Sequence, residues 1–338
     1  MKRIVIFADG TWNSPDKGRA TNVLQMARGI KPMAGNVEQV VFYDWGVGTD
    51  RKKIAGGITG AGIDKNILDC YRFIVHNYNQ GDKLFFFGFS RGAYTVRSLA
   101  GFIRNCGLLK RKFADHIPAA YKLYRKRAKA TGPNASMAET FRKDFAVEDI
   151  TPIEFVGVWD TVGALGIPVP FWGTLGEREF LFHDTEPSKI IEHARHAIAI
   201  DENRIDFEPT MWSDKLGLDL KQVWFSGVHS DIGGGYKEQG LSHITNQWIS
   251  EEAVKFGLQF EPHFLNTLKP DPEAKLHNER TGIYRARKEL VREITGSLHV
   301  SVKKRWDLDV DNYRKKSKAL TSMLDIVNND WTRLPQEG

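Results

Sequence analysis

Ser90 stands in Gly88-Phe89-Ser90-Arg91-Gly92, directly after the apolar run Lys83-Leu84-Phe85-Phe86-Phe87. Behind it, Ala93, Val96, Leu99, Ala100 and Ile103 recur at helical spacing. Strand, sharp turn and helix in that order form a nucleophile elbow, which holds a serine hydroxyl out at the carboxyl edge of a sheet. Glycine suits positions 88 and 92 because a Cβ there would collide with a neighbouring strand or helix. The helix N-terminus behind the serine favours developing negative charge.

A serine attacks only when a base takes its proton, and that base needs a partner to fix its tautomer. Two polar residues close other apolar runs. Asp160 follows 153–159 in Gly157-Val158-Trp159-Asp160-Thr161-Val162-Gly163, and His229 follows 222–228 in Gly227-Val228-His229-Ser230-Asp231-Ile232-Gly233-Gly234-Gly235-Tyr236. The order nucleophile, acid, base along the chain is one that such triads use. The assignment is Ser90 as nucleophile, His229 as general base and then acid, and Asp160 as the orienting carboxylate. Asp231 is the rival acid, but two residues from His229 its reach to Nδ1 is awkward, and it reads as a brace for the glycine-rich turn. For the oxyanion, one donor is the backbone N–H of Arg91. The second is expected from Asp9-Gly10-Thr11-Trp12-Asn13, through Gly10 and Thr11, with Asp9 supporting the turn.

These residues need a sheet to carry them. Runs at 3–8, 39–43, 83–87, 153–159 and 222–228 are short, rich in Val, Ile, Phe or Trp, and lack polar alternation, as parallel strands covered on both faces do. Helical spacing at 21–30, 63–79, 93–106, 187–198 and 244–256 falls between them. The expected fold is α/β, a doubly wound, mostly parallel sheet of the α/β-hydrolase kind in a single domain. Its core spans about 1–260, with a basic helical insertion at 108–149, an apolar loop at 166–184 and a charged C-terminal extension over 268–338 packed on the core. Gly56-Gly57-Ile58-Thr59-Gly60-Ala61-Gly62 resembles a nucleotide loop only superficially: no apolar strand precedes it and no Gly-Lys-Ser/Thr ends it. It reads as a loop near the site mouth.

The chain has 338 residues, 41% hydrophobic and 27% charged, which is ordinary globular composition. No apolar stretch is long enough to span a bilayer, and the first ten residues read as a strand rather than a signal peptide, so the default location is cytoplasmic. Two cysteines, Cys70 and Cys106, read as buried thiols rather than a disulfide framework. The net charge of +6 gathers in runs such as Lys110-Arg111-Lys112, which could face an anionic membrane surface. Nothing in the sequence has the pattern of a nucleic-acid binder, and no metal or organic cofactor is required.

Five ordered motifs carry a family resemblance: Asp9-Gly10-Thr11-Trp12-Asn13, Gly88 to Ala93, Gly157 to Gly163, Ala199-Ile200-Asp201-Glu202-Asn203-Arg204 and Gly227 to Tyr236. Over about residues 3–256 the chain resembles the catalytic domain of type VI secretion phospholipase effectors, the Tle1-like group of α/β-hydrolases. The resemblance implies a hydrolase of lipid or other carboxylic esters, with its Ser-Asp-His triad at Ser90, Asp160 and His229.

Overall fold

The computed structural model describes residues 1–10, 19–46, 60–126, 129–162 and 187–338. Its nine described strands are β1 (Arg3–Ala8), β2 (Met33–Ala34), β3 (Val37–Asp44), β4 (Lys83–Phe89), β5 (Ile153–Trp159), β6 (Ile191–Ala199), β7 (Asp219–Phe225), β8 (Ser297–His299) and β9 (Gln336–Glu337). They form one sheet in the order β2-β3-β1-β4-β5-β6-β7-β8-β9. Every neighbour pairs parallel except β2 with β3. The helices used below are α1 (Asn22–Gly29), α2 (Gly60–Asn77), α3 (Arg91–Cys106), α4 (Ile117–Arg125), α5 (Ser136–Phe145), α6 (His229–Gly233) and α7 (Gly240–Lys255).

Side chains alternate across a strand, so an unbroken apolar run feeds two cores at once. In β1, Ile4, Ile6 and Ala8 join one core with α2, α3 and α4, while Val5 and Phe7 join the other with α1 and α7. Phe86 and Phe87 divide in the same way on β4. On the second face Phe7 stacks on Phe87 at 5.0 Å between centroids, and Phe87 meets Phe155 at 5.6 Å. The expected doubly wound α/β sheet is therefore what the chain builds.

Two expectations need correction. Residues 187–198 are not a helix: Ile191–Ala199 is strand β6, hydrogen-bonded between β5 and β7. Glu, Ala, Arg and His gave the segment a helical composition, but the sheet overrides weak local preference. Arg195 survives inside the strand, 2% exposed, because Glu252 of α7 and Asp219 of β7 (2.7 Å) neutralise it. Strand β7 ends at Phe225 rather than at 228, since Gly227 sits at φ 135°, outside any strand.

The insertion at 108–149 is helical, carrying α4 and α5 against α3. The C-terminal segment supplies β8, β9 and a third apolar cluster around Trp224, Val302, Tyr313 and Leu320. The 166–184 loop and residues 47–59 of the glycine-rich region lie outside the described residues.

Candidate active site

Ser90 follows β4 and precedes α3, with φ 58° and ψ −121°. A non-glycine residue in that region costs roughly 1–3 kcal/mol and persists only where its surroundings over-determine it. The flanking glycines supply that constraint. A Cβ on Gly88 would lie 2.5 Å from the Gly92 carbonyl oxygen, and one on Gly92 would lie 2.0 Å from that of Ala8. The Ser90 amide donates to the carbonyl of Trp159 at 3.0 Å, tying the elbow to the residue before Asp160.

Asp160 is wholly buried and itself strained, at φ 36°. Its Oδ2 receives His229 Nδ1 at 2.6 Å, and its Oδ1 receives the Ala199 amide at 3.0 Å. A hydrogen bond from Nδ1 to a carboxylate leaves the imidazole Nε2 as acceptor. The ring is clasped by Phe89 at 4.6 Å and by the edge of Phe207 at 5.0 Å. His229 opens α6 rather than closing a strand, and its amide donates to Glu202 Oε2 at 3.2 Å. Ser90, Asp160 and His229 thus all stand just beyond the carboxyl ends of adjoining parts of the sheet, where ligands gather in open α/β folds.

A residue that sequence reasoning missed completes this cluster. Arg292, its side chain 1% exposed, donates from Nη1 to Asp160 Oδ1 at 2.7 Å and from Nη2 to Oδ2 at 3.1 Å. The same guanidinium reaches the carbonyls of Ala199 (2.7 Å) and Phe207 (2.5 Å). Burial pushes the Asp160 carboxyl up, but the Arg292 cation and His229 outweigh it and hold it well below the usual carboxylate range. Nothing in the local sequence marks Arg292, which arrives from the charged segment read as peripheral.

Asp231 does not approach His229 as a triad acid. Its Oδ2 accepts the Val228 amide at 3.1 Å, and its Oδ1 meets Nδ1 of His277 at 2.7 Å. These contacts tie the turn after β7 to His277, an unforeseen partner. The Gly10 amide corrects a further expectation: it donates to its neighbour Asp9 Oδ1 at 2.7 Å rather than standing open for an oxyanion. Asp9 is itself pinned by Thr21 (2.5 Å) and Tyr43 (2.8 Å), which fixes the turn after β1. Thr11 lies outside the described residues. The Arg91 amide, at the first position of α3, has no acceptor within its own helix.

Among the described residues, Glu154, Glu192 and His193 bring ligand atoms within 4.8 Å of one another. They lie at the start of β5 and β6, the opposite end of the sheet, and Lys83 already pairs with Glu154 at 2.8 Å. Both cysteines are buried free thiols. No helix among the described residues is long and apolar enough to cross a membrane.

A doubly wound, mostly parallel sheet with a serine elbow after one of its central strands is the α/β-hydrolase-like class of fold. Residues 2–252 match the profile of the type VI secretion (T6SS) phospholipase effector Tle1-like catalytic domain, and the chain belongs to that family. It is 28% identical to the uncharacterized protein YEL023C of Saccharomyces cerevisiae, across 77% of this chain and 58% of that protein. An uncharacterized protein from Pseudomonas aeruginosa has a similar crystal structure, at TM-score 0.50 and 18% identity over 80% of this chain and 49% of the other. A structure of the Tle1 effector bound to the VgrG spike aligns at TM-score 0.38 and 21% identity, covering 70% of this chain and 51% of the effector. The chain thus spans about half to three-fifths of the length of these relatives.

Proposed function

We propose that the protein is a serine hydrolase of carboxylic esters, with lipid acyl esters as its leading substrates. His229 Nε2 takes the proton of Ser90 Oγ as the oxygen attacks the ester carbonyl. The oxyanion draws on the Arg91 amide and the N-terminus of α3. As the intermediate collapses, the imidazolium returns its proton to the leaving alcohol and an acyl-enzyme remains. Water, deprotonated by the same imidazole, then releases the acid. Asp160 keeps the proton on Nδ1 and stabilises the imidazolium without taking that proton itself.

The observation that carries this reading is the pairing of a strained serine between two glycines with an imidazole whose Nδ1 sits 2.6 Å from a buried carboxylate. A lipid substrate draws support from family membership. A serine-directed fluorophosphonate probe tests the chemistry: wild type is labelled and Ser90→Ala is not. Folded wild type that resists the probe and releases no acid from esters of any chain length defeats the proposal.

A further inference from the structure

We infer that Arg292 is a positioning residue for this reaction, holding the Asp160 carboxylate ionised and aimed at His229 from a part of the chain beyond the family match. The inference rests on the hydrolase reading above. Its basis is the two-pronged contact of Arg292 with both oxygens of a carboxylate that has no solvent to turn toward. A carboxylate with one hydrogen-bond partner per oxygen can rotate; one held by a planar guanidinium fork cannot do so without breaking two charge-assisted bonds. The fork is itself fixed by the carbonyls of Ala199 and Phe207. Its backbone is anchored by a bridge between Arg204 and Glu289 and by the Leu290 amide on the Asn203 carbonyl at 2.9 Å.

Charge matters as well as geometry. The groups that act on Asp160 are Arg292 from the C-terminal segment, His229 from α6 and His196 from β6, with Arg97 of α3 acting on His196. Glu202, beyond β6, balances Arg204 and faces both Arg292 and His229. His196 is held neutral by burial, its pKa lowered to about 3, so Arg292 is the permanent cation on the triad acid. Asp160 and His229 share a hydrogen bond at 2.6 Å. A fixed positive charge against the Asp160 carboxylate opposes its protonation. Asp160 therefore stays ionised to lower pH than it would without Arg292.

Two variants separate charge from shape. Arg292→Gln removes both, and the acid limb of the kcat/KM profile should move up by about one pH unit or more. Arg292→Lys keeps the charge but loses the fork; the acid limb should stay while kcat falls with KM unchanged. Histidine ring-15N NMR of wild type and both variants, with His229→Gln to assign the resonance, reads proton uptake by the pair without any substrate. An acid limb and a titration that stay at the wild-type pH in Arg292→Gln, with only thermal stability reduced, would reduce Arg292 to a packing role. If Arg292→Gln does not fold, an unchanged kcat in Arg292→Lys overturns the positioning role by itself. Loss of the hydrolase reading is distinct: wild type then lacks ester turnover while the NMR titrations still respond to residue 292.

Discussion

Asp160→Asn tests the electrostatics of the site at one atom. Four donors converge on the two carboxylate oxygens: the Ala199 amide, His229 Nδ1 and two guanidinium nitrogens of Arg292. An amide of the same shape offers one oxygen and one NH2. With its oxygen toward Ala199 and Arg292 Nη1, its NH2 meets the one donor Arg292 Nη2 and faces Nδ1, to which it must donate, driving the imidazole proton to Nε2. The opposite orientation sets NH2 against two buried N–H donors and is worse. The ring thus loses its acceptor toward Ser90, and removal of the tautomer-fixing charge from such a triad lowers kcat by about 10⁴, or about 5.4 kcal/mol. Arg292 meanwhile keeps two carbonyl partners but loses the one carboxylate it bonds directly, and breaking a buried ion pair costs about 3–5 kcal/mol of stability. Initial rates on a short-chain p-nitrophenyl ester, with urea unfolding on the same samples, read both effects. An Asn variant within tenfold of wild-type kcat would falsify the assignment of Asp160 as the orienting acid.

Other outcomes follow from the same geometry. Asp231→Asn should leave kcat within about tenfold of wild type and cost stability of about 1–3 kcal/mol, because its ties are to Val228 and His277 rather than to the His229 ring; a loss as deep as that of Asp160→Asn would exchange the roles of the two acids. Gly92→Ala should destabilise by more than the roughly 1–3 kcal/mol of ordinary overpacking, since its Cβ would meet the Ala8 carbonyl oxygen at 2.0 Å and both elements are rigid backbone; urea unfolding reads it. Acid unfolding should expose the Asp160 linkage. Its folded pKa is depressed, so its stabilisation is full above the unfolded carboxylate value of about 4 and drains as pH falls through the lower folded value. The melting temperature of wild type should accordingly drop more steeply below pH 4 than that of Asp160→Asn, and parallel curves would contradict this.

The elbow was legible because its constraints are local. Strand, glycine, serine, glycine and helix fall within a few residues, and the two Cβ collisions confirm why the glycines are there. Asp160 and His229 could be read from their places after apolar runs. Arg292 could not, since it approaches Asp160 across 132 residues of sequence and its own neighbours look like solvated surface. Strand β6 failed for a related reason: Arg195 and His196 contradict a buried strand until Glu252, Asp219 and Gln222 are brought to them by other elements. The short strands β8 and β9 carry too few residues to show any period. Gly10 was misjudged because a backbone N–H is assigned by the nearest acceptor, and Asp9 turned its own carboxylate onto it.

The long separation between Asp160 and Arg292 has a bearing on how the chain comes to life. During synthesis at about 5–20 residues per second, the acid leaves the ribosome roughly 7–26 s before the cation that neutralises it. A nascent polypeptide whose first strands have already collapsed holds an unmatched negative charge at its centre until Arg292 reaches it. Late delivery of one arginine thereby postpones the pairing of Asp160 with its fixed cation until residue 292 has been made.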